Sequence, residues 1–186
     1  MEKETYIKTG DLIIFDDKQY LYCGDSTDEG SYRFLKEEAT MTLTSPPYNI
    51  GEKMQKYLDS VDDFKKRDGY YNLSTKVMEN CLNRSKYVFW NVAHISGNKI
   101  PLIDLTYKYK DNFCDTIIWV KDTSQPAILN RVMNSDFEYI YIYIANNTII
   151  GKLELVQILE EHSRMSSTKR EIIMLSLLIY TVQLCL

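Results

Sequence analysis

The sequence predicts an α/β fold, in which helices cover both faces of an open mixed sheet. Short apolar runs typical of strands alternate along the chain with longer segments of helical spacing, and this order is typical of α/β proteins. The clearest strand is 137–145, where aromatic residues alternate with isoleucines so that neither face is strongly polar. Such a strand is expected to be covered on both sides.

The N-terminal part of the chain predicts a hairpin and then a helix. Leu12–Phe15 and Tyr20–Cys23 are apolar runs that flank a short polar turn, as in a β-hairpin. Ser26 or Thr27 is a suitable N-cap for a helix that continues to about Glu38. The next predicted strand, 41–44, follows this helix.

Helices and strands continue to alternate downstream. The further predicted strands are 41–44, 87–90, 114–120 and 137–145, and the further predicted helices are 60–85 and 99–109. Ser60 and Asp63 have the spacing of a helix cap, and Pro101 suits the first turn of the second helix. Gly69 is a candidate interruption of the first helix.

Composition limits the class of protein. Of 186 residues, 45% are hydrophobic and 26% are charged, which allows a sizeable core and excludes a disordered chain. The four cysteines and two histidines are scattered, so we expect reduced thiols, a cytoplasmic protein and no metal site. The net charge of −4 does not resemble a nucleic-acid coat, although one basic cleft would still permit DNA binding. The charged N-terminus and the interrupted apolar run 172–186 predict neither a signal peptide nor a membrane span.

The segment with the clearest chemical content is Ser45-Pro46-Pro47-Tyr48, directly after the strand 41–44. Each proline holds φ near about −65° and removes an N–H donor, so the turn is rigid. It would present the Ser45 hydroxyl, the Pro46 carbonyl and the Tyr48 ring at the sheet edge where α/β proteins bind ligands. A planar base with an amino group suits such a pocket. The alternatives are a turn without chemistry, or a ligand for a proline-binding domain.

This segment resembles the catalytic motif of the amino-group DNA methyltransferases, (Ser/Asn/Asp)-Pro-Pro-(Tyr/Phe/Trp). The Thr-Ser-Pro-Pro-Tyr form is most similar to the cytosine-N4 branch; Asp or Asn is commoner in the adenine-N6 branch, although some adenine enzymes carry Ser. Further blocks match the family in order and spacing over about residues 11–147. They are Gly24-Asp25-Ser26, Asn49-Ile50-Gly51, 87–90, 117–121 and 137–140.

The resemblance implies a partial Rossmann-like, S-adenosylmethionine-dependent methyltransferase fold. The catalytic residues would be Ser45, Pro46, Pro47 and Tyr48: the Ser45 hydroxyl and the Pro46 carbonyl accept hydrogen bonds from the exocyclic amine, and Tyr48 stacks on the flipped base. Asp25 would lie near the adenine of the cofactor S-adenosylmethionine. The implied partners are double-stranded DNA and a cognate restriction endonuclease, within a restriction–modification system.

One element of the family is missing. Members with an N-terminal catalytic motif carry a Phe-x-Gly-x-Gly cofactor loop near the C-terminus, where the backbone must approach the cofactor closely. No two of the seven glycines here are separated by a single residue. We therefore divide the chain into a catalytic-motif part, 1–147, and a divergent tail, 148–186. We expect the N-terminal part of a permuted methyltransferase, shortened by truncation or a frameshift; an inactive remnant and an interaction module are the alternatives.

Residues outside the motif favour structural roles. Trp90 and Trp119 lie on apolar strands and are predicted to be core. For His94 a loop position is favoured over the cleft. Lys121 is predicted to be solvated, with a phosphate contact as the alternative. Glu138 lies on the isoleucine face and is a candidate to pair with a cation, which the sequence does not identify.

Overall fold

The computed structural model describes residues 7–15, 19–49, 67–121 and 136–146. Its elements in chain order are β1 (Leu12–Phe15), β2 (Gln19–Tyr22), a 3₁₀ helix (Glu29–Tyr32), β3 (Ala39–Thr44), α1 (Arg67–Arg84), β4 (Ser85–Val92), α2 (Lys99–Lys108), β5 (Phe113–Val120) and β6 (Phe137–Ile144). The predictions for 50–66, 122–135 and the tail from 147 onward lie outside these residues.

The main sheet is open and mixed, with the strand order β3-β4-β6-β5. β3 and β4 are parallel, whereas β6 is antiparallel to both of its neighbours. The strands β3, β4 and β5 therefore run in one direction, and their carboxyl ends meet at the same edge as the amino end of β6. We call this edge the site edge. The α/β class with an open mixed sheet is confirmed. Helices on both faces are not observed within the described residues, because α1 and α2 both pack against the same face of the sheet.

Alternation along β4 divides its side chains between two apolar clusters. Val88, Trp90 and Val92 pack with residues of α1 and α2 on the helix face of the sheet. Tyr87 and Phe89 pack with isoleucines of β6 on the opposite face. Buried apolar side chains of this kind each contribute about 1.5–3 kcal/mol relative to full exposure, so β4 is anchored from both sides. In β6 every residue is buried or half-buried, so the prediction that both faces of this strand are covered is confirmed.

Most predicted elements agree with the structure, but the helix from Ser26 to about Glu38 was wrong. Only the single 3₁₀ turn Glu29–Tyr32 forms there. Asp25 and Asp28 each accept a hydrogen bond from the backbone N–H two residues further along the chain. Such short side-chain-to-backbone bonds compete with a continuous helix. The β1–β2 hairpin is confirmed as an antiparallel pair.

Two further predictions concern the tryptophans and α1. Trp90 is fully buried as expected, but Trp119 is 38% exposed, because β5 is the edge strand of the sheet. Gly69 does not interrupt α1. Within the described residues, no helix is both long enough and apolar enough to cross a bilayer.

Candidate functional site

The site edge gathers polar side chains from four separate segments. Ser45 follows β3, Asn91 is the penultimate residue of β4, Lys121 follows β5, and Glu138 is the second residue of β6. The strand register places Glu138 opposite Trp119 and Asn91 opposite Ile140. Because side chains alternate across a strand, Asn91, Lys121 and Glu138 point to the same face, opposite the helices.

The Pro-Pro turn lies at this edge and is partly open. Ser45 is exposed, Pro46 is buried, and Pro47 and Tyr48 are half-buried. A proline-rich ligand for another domain would present its aromatic residue freely, whereas the Tyr48 hydroxyl is bonded within the protein. Ser45 is therefore exposed to solvent on a turn that is anchored to the rest of the protein through Tyr48.

Tyr48 is the centre of a hydrogen-bond network. Its hydroxyl lies 2.9 Å from Glu138 Oε2 and 3.2 Å from Asn91 Oδ1. A phenol has one proton to donate and the carboxylate is the stronger acceptor, so Tyr48 donates to Glu138. Ser45 Oγ in turn donates to the Tyr48 hydroxyl at 3.3 Å. The exposed serine is thus connected through Tyr48 to a buried carboxylate.

Glu138 is 5% exposed and is surrounded by donors. Its Oε2 also accepts from Asn91 Nδ2 at 3.1 Å, and its Oε1 pairs with the Lys121 ammonium group. Burial by itself would raise the pKa of Glu138, but the hydrogen bonds from Lys121, Tyr48 and Asn91 outweigh burial and leave the pKa below its ordinary value. The carboxylate is therefore charged at neutral pH, and Lys121 is the cation that the sequence did not identify.

The same environment keeps the Tyr48 phenol neutral. Burial, and then the hydrogen bond to the Glu138 carboxylate and its charge, raise the pKa of Tyr48 to about 12. The hydrogen bond with Ser45 acts in the opposite direction. At neutral pH Tyr48 is therefore a hydrogen-bond donor and an uncharged aromatic surface.

The loop after β4 holds the end of the Pro-Pro turn. Asn49 is buried with a φ of 59°, a left-handed conformation that asparagine tolerates better than most residues. Its Nδ2 donates to the Gly97 carbonyl at 2.9 Å. A Cβ atom on Gly97 would overlap the Asn49 carbonyl oxygen. Asn98 braces the same loop by donating to the Ala93 carbonyl at 3.0 Å.

On the helix face of the sheet, aromatic side chains pack around His94 at the site edge. His94 Nε2 lies 2.7 Å from the Tyr141 hydroxyl, and its ring centroid is 4.6 Å from that of Tyr139. Burial, and then the charge of Lys99, lower the pKa of His94. The loop position predicted for His94 is observed, and the ring is packed rather than free.

Asp25 lies in a turn of its own. Its Oδ1 accepts from the Thr27 backbone N–H at 2.8 Å and from the Thr27 hydroxyl at 2.9 Å. Asn80 of α1 fastens this turn by donating to the Ser26 carbonyl at 2.9 Å. The contacts found among the described residues do not join Asp25 to Ser45 or Tyr48.

Sequence reasoning missed Asn91 and did not connect Lys121 with Glu138. Asn91 is a single amide after four hydrophobic residues of an apolar strand. A polar residue at the carboxyl end of a buried strand is a usable signal for a site, because ligands of α/β proteins bind there. Finding its partners requires the strand order, which this signal does not contain.

Comparison with known families gives one match. A family model described as DNA methylase, of the N6 and N4 type, matches residues 39–174. This range covers well over half of the chain; it includes the Pro-Pro turn and the network around Glu138, begins after Asp25, and extends past residue 147. No curated protein matches the chain.

Several solved structures resemble the chain. The DNA modification methylase TTHA0409 of Thermus thermophilus, a provisional assignment, is 17% identical over 70% of this chain and 55% of its own, with a TM-score of 0.48. The complex of M1.HpyAVI with SAM is 14% identical over 69% of this chain and 56% of its own, with a TM-score of 0.40. The chain spans little more than half the length of these proteins.

Proposed function

The chain belongs to the DNA methylase family, and from that premise we propose that its Pro-Pro turn binds a flipped base and orients the exocyclic amine for methylation. Cytosine N4 is the preferred target, because the motif has Ser45 at its first position, and adenine N6 is the alternative. The observation that carries the proposal is an exposed Ser45 beside a Tyr48 that Glu138 holds in place.

Ser45 and Pro46 would act on the amine itself. The lone pair of an exocyclic amine is delocalised into the ring, so the amine is a poor nucleophile. Acceptors placed on its two N–H groups favour the tetrahedral, nucleophilic form. Because Ser45 donates its only hydroxyl proton to Tyr48, its oxygen lone pairs remain available to accept from the amine. The Pro46 carbonyl would be the second acceptor.

Tyr48 would form the wall of the base pocket. A base inside a duplex cannot reach the turn, so it must first be flipped out. Stacking on an aromatic side chain is worth about 1–3 kcal/mol per base. The neutral phenol is tied to Glu138 at 2.9 Å, so the ring is already ordered when the base arrives.

S-adenosylmethionine is the methyl donor of the family and the proposed cofactor here. Asp25, the residue proposed to lie near the adenine of the cofactor, has one carboxylate oxygen, Oδ1, bonded to Thr27 within its own turn. The whole sequence also lacks a Gly-x-Gly loop. The chemistry proposed for these residues is therefore confined to the base and its amine. The competing proposal, favoured by the missing loop, is a chain that is inactive by itself.

The proposed setting is a restriction–modification system, with double-stranded DNA as substrate and an endonuclease of the same specificity as partner. This setting is supported only by the resemblance of the motif to that of modification enzymes. The division into 1–147 and 148–186 is likewise a proposal.

Methyl transfer to genomic DNA tests the function. The chain is incubated with DNA and methyl-labelled S-adenosylmethionine, and the digested nucleosides are separated by mass spectrometry. Labelled N4-methylcytosine supports the preferred proposal, and labelled N6-methyladenine supports the alternative. Absence of both products, together with no saturable binding of S-adenosylmethionine, supports the inactive chain.

Ser45→Ala tests the role of the turn in the same assay. It should abolish methylation and leave S-adenosylmethionine binding as in the unaltered chain. Ser96→Ala is the matched control, since Ser96 is an exposed serine in the loop after β4. Retained activity in Ser45→Ala would refute the assigned role.

A further inference from the structure

Glu138 is a buried carboxylate that the proposed contacts with the base do not use. Taking a charge out of water is costly, and apolar residues of similar size often stabilise a core equally well. Its neighbours on the same face of β6, Ile140 and Ile142, are aliphatic. Stability alone therefore does not explain a carboxylate at this position.

The contacts of Glu138 restrict its orientation from three directions. Oε2 accepts from Tyr48 at 2.9 Å and from Asn91 at 3.1 Å, and Oε1 pairs with Lys121. Because both oxygens are engaged, rotation of the carboxylate would break at least one charge-assisted bond. Asn91 is itself held, since its Nδ2 also lies 3.3 Å from the Tyr139 carbonyl.

We propose that Glu138 is a positioning residue for Tyr48, and that Lys121 and Asn91 hold Glu138 in the orientation this requires. The inference rests on the proposed function, in which Tyr48 is the wall of the base pocket. Glu138 acts through Tyr48 and does not touch the base. Its effect is to order the Tyr48 ring, and with it the Ser45 hydroxyl, before a base binds.

The expected effect on binding follows from the cost of ordering a side chain. A ring that is mobile in the free protein must be immobilised when the base stacks on it, and this cost weakens binding by about 2- to 10-fold. Glu138→Ala should therefore weaken binding of a flipped or single-stranded base by about that factor. Glu138→Gln should lie between Glu138→Ala and the unaltered chain, because its amide oxygen still accepts from Tyr48.

The experiment places 3-fluorotyrosine at position 48 of the full chain and records its ¹⁹F NMR signal. Fluorination lowers the pH range in which the phenol ionises, so the titration is accessible. The signal is recorded for the unaltered chain, Glu138→Gln and Glu138→Ala. Glu79→Gln is the matched control, because Glu79 is an exposed glutamate of α1.

In Glu138→Ala the ¹⁹F shift should change and the titration midpoint should fall by about one pH unit, since a carboxylate neighbour disfavours the phenolate. Glu79→Gln should match the unaltered chain. An unchanged shift and midpoint in Glu138→Ala would overturn the inference, whatever the activity of the chain.

A second arm adds a single-stranded DNA oligonucleotide that contains all four bases. If the unaltered chain shows a saturable ¹⁹F response and Glu138→Ala shows a weaker one, the positioning role in base binding is supported. Equal affinities of the two chains would overturn it. If the unaltered chain gives no response, the proposed function fails, whereas the titration of the free protein still decides whether Glu138 positions Tyr48.

Discussion

The Tyr48 hydroxyl donates to the Glu138 carboxylate at 2.9 Å, although 90 residues separate the two in sequence. The contact is possible because β6 is inserted antiparallel between β4 and β5. Its amino end therefore lies beside the carboxyl end of β4. The Pro-Pro turn is in this way bonded to β6, the last strand of the described chain.

Removing the phenol hydroxyl should destabilise the protein measurably. In Tyr48→Phe the ring remains, but Glu138 Oε2 retains only the bond from Asn91. Losing a hydrogen bond to a charged group costs about 1.5–3 kcal/mol. Since Tyr48 is half-buried, we expect a loss of about 1–2 kcal/mol in the free energy of unfolding, measured by urea denaturation.

The matched control for this substitution is Tyr107→Phe. Tyr107 is 73% exposed, and substitutions at such surface positions usually change stability by less than about 0.5 kcal/mol. Equal losses in the two variants would contradict a specific role for the Tyr48 hydroxyl.

Lys121→Met should lower the free energy of unfolding at neutral pH. It should also make that free energy depend less on pH in the acid range. The pKa of Glu138 is lowered in the folded protein, so its contribution is present above the ordinary carboxyl pKa of about 4.3. That contribution is lost as the pH falls through the lowered folded value. Because Lys121 is partly exposed, solvent screening limits the loss at neutral pH to about 1–2 kcal/mol.

The measurement for Lys121→Met is urea denaturation at pH 7 and at a series of pH values below the ordinary carboxyl pKa. Lys76→Met on the exposed surface of α1 serves as the control. A variant that retains the full acid dependence of the unaltered chain would show that Lys121 does not hold Glu138 in its charged form.

His94 should contribute to a loss of stability on mild acidification. Burial and the charge of Lys99 lower the pKa of His94 in the folded state, so the unfolded chain binds a proton first. Stability therefore falls as the pH drops below about 6.5, the ordinary histidine value, and continues to fall until the folded pKa is reached.

His94→Gln removes this titration and should flatten the dependence of the urea midpoint on pH between about 7.5 and 5.5. It also deletes the ring that contacts Tyr139, so stability at pH 7.5 falls as well. The slope with pH, and not the absolute midpoint, is the diagnostic quantity. An unchanged slope would show that another group is responsible.

Gly97→Ala should disturb the Pro-Pro turn through Asn49. The new Cβ would overlap the Asn49 carbonyl oxygen, which is backbone and cannot simply rotate away. Overpacking of this kind costs about 1–3 kcal/mol. We expect such a loss in thermal or urea denaturation, together with weaker binding of single-stranded DNA.

Gly30→Ala is the comparison, because the atoms nearest to its new Cβ would be those of the Asp28 carboxylate, which belong to a side chain that can move. A loss in Gly30→Ala as large as that in Gly97→Ala would show that contact with the Asn49 backbone is not the cause.

Features that depend only on residues close together in the sequence were predictable from it. Alternation identified β6 and both of its faces, because side chains of a strand alternate wherever the strand lies. The two prolines identified a stiff turn, since a proline restricts its own φ. The predicted helix after Ser26 was wrong for a reason that is also local in sequence. Asp25 and Asp28 bond to nearby backbone N–H groups and favour turns.

The sequence by itself therefore determined the α/β class, the position of the Pro-Pro turn and the candidate acceptor Ser45. Only the tertiary structure decided that Trp119 lies on an edge strand, and that Lys121, Asn91 and Tyr48 converge on Glu138. The physical reason is that strand order and register are properties of the whole sheet. Two residues at strand ends meet only when distant strands pair, and no local pattern of side chains contains that pairing.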